Sequence, residues 1–306
     1  MTDTTTTAVL LPDAATETSA PARVQERRVA NRLGDGARSL VRRPGLLLAF
    51  AVLAVALVAA LWPTVLTSGD PYAAVPAERM QAPSGQHLFG TDQLGRDLYT
   101  RVVHGSALSL SSAALAVVFG LSTGSLVGLV AGFFGGWADS ALMRFVDVLL
   151  AIPGILLSLA MITALGFGTI NVAIAVGVGS VASCARIMRS QVLSVRTSDY
   201  VEAAIAGGAT RWRVLVRHIL PNSAAPVLVL AALDLGGAIL AVSSLSFLGF
   251  GVQPPTPEWG ALVAQGRDYL ATAWWLTALP GLTVVATVLA ANHIARSLDS
   301  ERKYAR

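Results

Sequence analysis

Residues 148–185 read VLLAIPGILLSLAMITALGFGTINVAIAVGVGSVASCA and contain no Asp, Glu, Lys or Arg. One α-helix of that length would be about 57 Å long, whereas the hydrocarbon core of a bilayer is about 30 Å thick. The stretch therefore has to fold back on itself. Its turn signal is Gly166-Phe167-Gly168-Thr169, which predicts two antiparallel membrane spans at residues 143–165 and 170–188.

The rest of the chain has a similar composition. Charged residues make up 13% of its 306 residues, and the mean hydropathy is +0.63; soluble domains are about one quarter charged. Other apolar runs are long enough to span a membrane, and they predict helices at residues 45–66, 107–132, 224–250 and 274–296. The predicted fold class is therefore an all-α polytopic membrane protein with six transmembrane helices.

The basic residues predict the orientation. Of the 22 Lys and Arg residues, 18 fall in the segments and helix ends on one side, and four fall on the other, namely Arg79, Arg96, Arg101 and Arg267. Because cytoplasmic loops carry the excess of basic residues, both termini are predicted to be cytoplasmic. Inner and outer refer to this predicted orientation throughout.

Four segments follow from this topology. Residues 1–43 are predicted to be a partly disordered cytoplasmic tail, because they are polar and lack apolar periodicity. Residues 44–104 are predicted to hold the first transmembrane helix, left uncleaved, and an extracytoplasmic segment. Residues 105–298 form the transmembrane core with a cytoplasmic loop at 189–222, and residues 299–306 form a cytoplasmic C-terminal tail.

The chain lacks the residue patterns that several enzyme classes require. A P-loop needs a lysine followed by Ser or Thr, and the single lysine, Lys303, is followed by Tyr304. None of the four histidines belongs to an HExxH motif. The single cysteine, Cys184, gives neither a disulfide framework nor a cysteine metal site. The chain is therefore not predicted to be an enzyme.

The cytoplasmic loop contains an amphipathic segment, YVEAAIAGGATRWRVLVRHILPN, residues 200–222. Asp199 as N-cap and Glu202 as its partner predict a capping box, two glycines end that helix, and Thr210 is placed to cap a second one before Pro221. The segment either lies on the headgroups as an amphipathic anchor or docks a cytoplasmic partner. The predicted faces are a small-residue face (Val201, Ala204, Ile205, Gly208), an apolar stripe (Trp212, Leu215, Val216, Ile219) and an arginine face (Arg213, Arg217).

The loop resembles the EAA loop of ABC-importer permeases. In that family the loop forms a coupling helix that inserts into a groove on the ATPase subunit. His218 stands where the family pattern has an apolar residue, as is familiar in the dipeptide/oligopeptide branch. The resemblance implies that the ATPase-coupling residues are Glu202, Ala203, Ala204, Gly208, Leu220 and Pro221.

Two more motifs resemble the dipeptide/oligopeptide branch of that family. HLFGTDQLGRD at residues 87–97 resembles the signature that follows the first span, and LSFLG at 245–249 with QPPTPEWG at 253–260 resembles the block after the fifth. Together the motifs cover residues 87–298 in order. The chain is thus similar to the second, C-type permease subunit of such importers, which implies the type I ABC-importer permease fold.

The resemblance also implies partners and a location. A second homologous permease would complete the translocation path. ATP-binding subunits, or a fused tandem ATPase, would hold ATP and Mg²⁺, and this chain would hold no cofactor. An extracytoplasmic substrate-binding protein would deliver a di- or oligopeptide. The expected location is the lipid bilayer of a bacterial inner membrane, with no nucleic-acid partner.

Other functions stay open at this point. Ala107 stands where the family often has a basic residue, and Val242 where it often has an acid, so nickel, haem or another small ligand remains an alternative cargo. A self-contained secondary transporter would need inverted repeats and ionisable pairs at mid-membrane, and no convincing repeat is visible. An interaction-only membrane scaffold would leave the glycine-jointed loop unexplained.

Three features inside the spans predict contacts. Arg144 and Asp147 are three residues apart on a helix and can pair. Asp234 lies mid-span, as a wall of the translocation path or as a hydrogen-bonded or protonated acid at a helix interface. Unchanged uptake rate and substrate preference in Asp234→Ala would exclude the path role. Small residues at every fourth position predict close helix packing, or a passage lining, at Ala116, Gly120, Gly124, Gly128 and Gly132.

Overall fold

The computed structural model describes residues 44–304, except for the side chains of residue 225 and of residues 298–304. The predicted N-terminal tail, residues 1–43, lies outside the described residues. The chain divides into two units between Leu47 and Leu48, and the packing described here is that of the second unit.

The described residues are mainly α-helical. Five helical segments are long and apolar enough to cross a membrane, and the bent pair Gly136–Ala151 and Gly154–Leu165 makes a sixth if it counts as one span. A π-helical turn, Leu215–Ile219, joins helix Arg211–Val214 to helix Leu220–Phe247. The helices are α1 Pro44–Leu61, α2 Leu98–Phe134, α3 Gly136–Ala151, α4 Gly154–Leu165, α5 Thr169–Arg196, α6 Asp199–Ala206, α7 Arg211–Val214, α8 Leu220–Phe247, α9 Trp259–Gly266 and α10 Trp275–Tyr304.

The third predicted span is broken. α3 and α4 meet at an angle of 99°, so residues 143–165 do not form one straight helix. The break lies at Ile152-Pro153, where Ile152 is extended with φ −95° and ψ 127°. Proline disfavours helical geometry in the residue before it and supplies no amide hydrogen. An apolar run alone does not show such a break, because transmembrane helices also tolerate proline as a kink.

The fold-back between the third and fourth spans is confirmed. α4 ends at Leu165 and α5 begins at Thr169, as the turn signal predicts. The side chain of Asn171 closes the turn, because its Nδ2 donates to the carbonyl oxygens of Leu165 at 2.9 Å and of Gly166 at 3.1 Å. These bonds satisfy carbonyl groups at the end of α4 that have no partner within the helix.

Several helix ends differ from the predicted ones. α1 ends at Leu61 rather than at residue 66, because Pro63 begins a separate 3₁₀ turn. α2 begins at Leu98 rather than at residue 107, since the Asp97 side chain caps it by accepting from the Thr100 amide at 2.8 Å. α10 continues to Tyr304, so most of the predicted C-terminal tail is helical.

α2 and α5 pack closely through the small residues of α2. A Cβ built on Gly128 would lie 2.3 Å from the carbonyl oxygen of Ala185, and one on Gly124 would lie 2.6 Å from that of Val181. The small-residue stripe is therefore a helix-packing face, as the first of its two interpretations predicts. A central apolar cluster includes Leu98, Val102, Ile162, Ile239, Val242, Leu245 and Trp259.

Two ion pairs join α3 to α5. Asp139 binds Arg189 through both carboxylate oxygens, at 2.5 and 2.6 Å, and Asp147 binds Arg186 at 2.8 Å. The predicted pair of Asp147 with Arg144 is therefore wrong. The reason is the packing of α3, whose buried Val146 contacts α5 in a small apolar cluster and so brings Asp147 beside an arginine of the neighbouring helix.

Candidate functional site

The predicted coupling helix is present as α6, but its start differs from the prediction. The N-cap is Ser198, without a side-chain cap bond, and Asp199 is the first helical residue. The capping box with Asp199 as N-cap is therefore wrong. Ser198 Oγ instead donates to the Val195 carbonyl at 2.6 Å and closes the end of α5. Asp199 and Glu202 lie in the first turn of α6, where negative charge favours a helix N-terminus.

A Schellman motif ends α6 at the two glycines, as the sequence predicts. The Gly208 amide donates to the Ile205 carbonyl at 3.0 Å, and the Ala209 amide donates to the Ala204 carbonyl at 3.1 Å. Gly208 has φ +83°, a conformation that costs residues with a Cβ. A Cβ built there meets no atom within 4 Å, so the surface beside Gly208 is open.

α6 contacts the rest of the protein through a narrow face. Val201 is fully buried and packs in an inner apolar cluster with Met188 and Val192 of α5. Val201 therefore does not belong to a partner-facing surface, which corrects the predicted small-residue face. The accessible surface of α6 and its turn comprises the exposed Glu202, Ala203, Ile205, Ala206, Gly207 and Gly208, with Ala204 half-buried.

The second half of the loop, α7 and the π-helical turn, buries a different set of residues from the predicted one. Thr210 caps α7 as predicted, since its Oγ1 accepts from the Arg213 amide at 3.4 Å. Trp212 and Val216 of the predicted apolar stripe are 72% and 45% exposed, so that stripe is wrong in half its members. The residues that pack into the inner apolar cluster are Val214, Leu215 and Ile219.

The π-helical turn explains part of this difference. The Leu220 amide donates to the Leu215 carbonyl, five residues back, so one extra residue fits into the turn and a regular 3.6-residue period no longer applies. Leu220 and Pro221, both exposed, form the first turn of α8. Pro221 does not end a helix, because it lies in the first turn of α8. Backbone amides in a first turn have no partner within the helix, so the missing amide hydrogen of proline breaks no helical hydrogen bond.

Asp234 lies half-buried in α8, beside Ser180 of α5. This is the contact that the helix-interface alternative predicts. A role of Asp234 in the translocation path stays a prediction. Val242, the position where the resembling family often has an acid, is 2% exposed in the central apolar cluster, so it does not line a passage in this conformation.

The outer motif at residues 253–260 packs against α2. Glu258 caps α9 by accepting from the amides of Gly260 at 3.1 Å and Ala261 at 3.0 Å. Its Oε1 also accepts from Ser109 Oγ of α2 at 2.9 Å. Trp259 is fully buried, and its Nε1 donates to the Val102 carbonyl at 3.0 Å. Glu258 and Trp259 of this motif thus serve as a helix cap and as buried contacts with α2.

Arg101 joins three outer segments and is completely buried. Its guanidinium donates to the carbonyl oxygens of Pro71 and Pro255, each at 3.3 Å, and to Gln265 Oε1 at 3.5 Å. Its Nε lies 3.8 Å from Asp92, which binds Arg96 at 2.7 Å. In the sequence, Arg101 is distinguished only as one of the four basic residues on the predicted outer side. A charge in the first turn of a long apolar helix is the signal that it has buried partners.

The family of binding-protein-dependent transport system inner membrane components matches residues 124–304. The chain belongs to this family. It is a permease subunit of an ABC importer, a transport subunit rather than an enzyme, and the six-span all-α fold class is confirmed for the described residues with α3–α4 as one bent span. The family assignment favours this class over a self-contained secondary transporter.

Relatives of the permease agree with this assignment. The dipeptide transport system permease protein DppC of Alkalihalophilus pseudofirmus is 41% identical over 239 residues, 78% of this chain and 79% of that protein. The di/tripeptide transport system permease protein DppC of Pseudomonas aeruginosa is 44% identical over 217 residues, 71% of this chain and 72% of that protein. Among solved structures, the inward-facing MetNI methionine ABC transporter matches with a TM-score of 0.50 at 21% identity, covering 65% of this chain and 97% of that one, which shows the type I fold.

Proposed function

We propose that the permease imports di- or oligopeptides as one of two transmembrane subunits of an ATP-driven importer in a bacterial inner membrane. The observation that carries the cargo is the 41–44% identity to dipeptide and di/tripeptide permeases. A second permease completes the path, an extracytoplasmic binding protein delivers the peptide, and ATPase subunits or a fused tandem ATPase hold ATP and Mg²⁺. This chain holds no cofactor in the proposal.

The geometry of the loop supports coupling to those ATPases. α6 exposes Glu202 and Ala203, while buried Val201 joins it to α5 and the same inner cluster includes Val227 of α8. A displacement of α6 is therefore transmitted to α5 and α8 through close-packed side chains, because protein interiors compress little. ATP-driven closure of the ATPases would shift the spans between inward- and outward-facing states by binding the two states unequally.

The cargo is tested by uptake in cells that lack the chain. We expect these cells to lose uptake of a radiolabelled dipeptide and to regain it when the chain is supplied in trans. Nickel and haem are measured in the same cells, because the resembling family leaves those cargoes open. Loss of nickel or haem uptake with dipeptide uptake unchanged would overturn the peptide proposal and leave the ABC-importer class intact.

Gly208→Asp is expected to lower uptake by about tenfold or more, because it places an unpaired charge on the face that docks the ATPase. Since no atom lies within 4 Å of the new Cβ, the variant should insert and extract normally. Uptake and size-exclusion chromatography of the extracted protein measure the two effects separately.

Gly208→Asn is the matched control for that variant. Asn has nearly the same shape as Asp and both tolerate a positive φ better than other residues, so the pair separates charge from backbone strain. We expect Asn to retain more uptake than Asp. Full uptake by the Asp variant would contradict the docking role of this turn.

A further inference from the structure

A polar pocket of about 310 Å³ opens at the outer end of α8. One wall is the segment that follows LSFLG, with Gln253 and Pro254, and the other is the end of α9, with Gln265, Arg267 and Asp268. Small-molecule sites have volumes of about 300–1,000 Å³. This pocket is at the small end of that range, which suits a di- or tripeptide better than a longer peptide.

The pocket offers charges of both signs. Arg267 Nε and Asp268 Oδ1 lie 3.3 Å apart, and their side chains are 59% and 75% exposed. An ion pair this exposed contributes little free energy, so each member can exchange its partner for a ligand group at small cost. Gln253 adds an amide group, whose donor and acceptor atoms match those of a peptide bond.

The two walls of the pocket are attached to the same buried side chain. The Nη2 atom of Arg101 donates to the Pro255 carbonyl at 3.3 Å and to Gln265 Oε1 at 3.5 Å. Pro255 follows the wall residue Pro254, and Gln265 belongs to the opposite wall. Arg101 therefore fixes the width of the pocket, and a preformed pocket loses less free energy in ordering its walls when a ligand binds.

A second cavity, of about 360 Å³, provides a contrast. It lies between α1, α2 and α10, and its lining is predominantly apolar, with Val52, Phe89 and Trp259 among its members and no charged residue. A cavity of this kind offers no partner to a charged peptide terminus, whose burial without one is costly. The polar pocket is thus the better match for a zwitterion.

We propose that the pocket at the outer end of α8 is a transit site for zwitterionic di- or tripeptides. Arg267 binds the terminal carboxylate, Asp268 binds the terminal ammonium, and the Gln253 amide binds the peptide bond. The proposal rests on the proposed peptide cargo and adds a site on the permease itself. Because the charges are exposed, binding is expected to be weak. A transit site must bind weakly, since it has to release the peptide into the translocation path.

Photo-crosslinking tests the site directly. The full permease is purified in its importer complex, reconstituted in nanodiscs without binding protein, and irradiated with the zwitterionic dipeptide p-benzoylphenylalanyl-alanine, whose amino terminus is free. We expect label within residues 246–268, displaced by unlabelled dialanine and not by N-acetyl-dialanine amide. Arg267→Gln and Asp268→Asn are each expected to reduce the label about fivefold, the effect of roughly 1 kcal/mol.

The control variant is Asp70→Asn, which removes an exposed outer acid that does not line the pocket and should leave the label unchanged. Equal labelling of the wild type and of both pocket variants, or label only outside residues 246–268, would overturn the transit site. Dipeptide uptake in cells separates the two proposals. Uptake without pocket labelling refutes the site alone, and absence of dipeptide uptake refutes the peptide cargo and the site together.

Discussion

Gly128→Val is expected to prevent folded permease from accumulating. The new Cβ would lie 2.3 Å from the Ala185 carbonyl oxygen and 2.9 Å from the Arg189 amide nitrogen of α5. Both are backbone atoms, so relief requires α2 and α5 to separate along their contact. Overpacking of a core costs about 1–3 kcal/mol, and we expect a value at or above that upper end because no flexible side chain can move aside. Total stabilities are only about 5–15 kcal/mol.

The measurement is the monodisperse fraction of a fluorescent fusion after mild-detergent extraction, together with its thermal midpoint. Gly179→Val is the matched control, because it makes the same substitution on the facing helix, α5, where a Cβ meets no atom within 4 Å. We expect the control to extract as the wild type does. If Gly128→Val extracts equally well, the close contact of α2 with α5 is not part of the native packing.

This contact shows what periodicity can and cannot predict. Small residues at every fourth position of α2 predict a close helix contact, and the structure confirms it. The pattern does not identify α5 as the partner, because a stripe on one helix is compatible with any neighbour that approaches as closely. The partner follows only from the short turn at Gly166–Thr169, which places α5 next to α4, and from the packing of the remaining spans.

The loop at residues 189–222 could be predicted in outline but not in which residues are buried. Its two glycines and Thr210 end and cap helices as predicted, since these are local interactions of the residues themselves. The side of each helix that is buried depends on α5 and on a π-helical turn, neither of which leaves a local signal. For this reason Val201 faces the protein and Trp212 is exposed, contrary to the predicted faces.

The bent third span was likewise predictable as an apolar segment but not in its geometry. Composition predicts that residues 143–165 prefer an apolar environment, and the described helices agree. It does not predict the 99° angle, because the proline that allows the break also occurs in kinked helices that continue across the membrane. The ion pairs of Asp139 and Asp147 with α5 depend on that angle, and so they could not be predicted either.

Arg101→Met is expected to lower stability by about 3–5 kcal/mol, the usual cost of removing one partner from a buried charge network. Two carbonyl oxygens, of Pro71 and Pro255, and Gln265 Oε1 would lose their donor, and buried acceptors without partners are costly. Thermal unfolding in detergent, followed by dipeptide uptake at a permissive temperature, measures the effect. Arg79→Met is the control, because Arg79 is exposed and donates to one carbonyl at 2.8 Å; about 1 kcal/mol or less is expected there.

Arg101→Lys separates charge from geometry. Lysine keeps the positive charge near Asp92 but concentrates its donors at one atom, whereas the planar guanidinium reaches acceptors on three segments. We expect Lys to be more stable than Met and less stable than the wild type. Replacement of a buried charge by an apolar residue can be neutral when the desolvation cost equals the gain in contacts. An unchanged thermal midpoint in Arg101→Met would therefore show that Arg101 adds no net stability to the outer loops, which would contradict the expected loss.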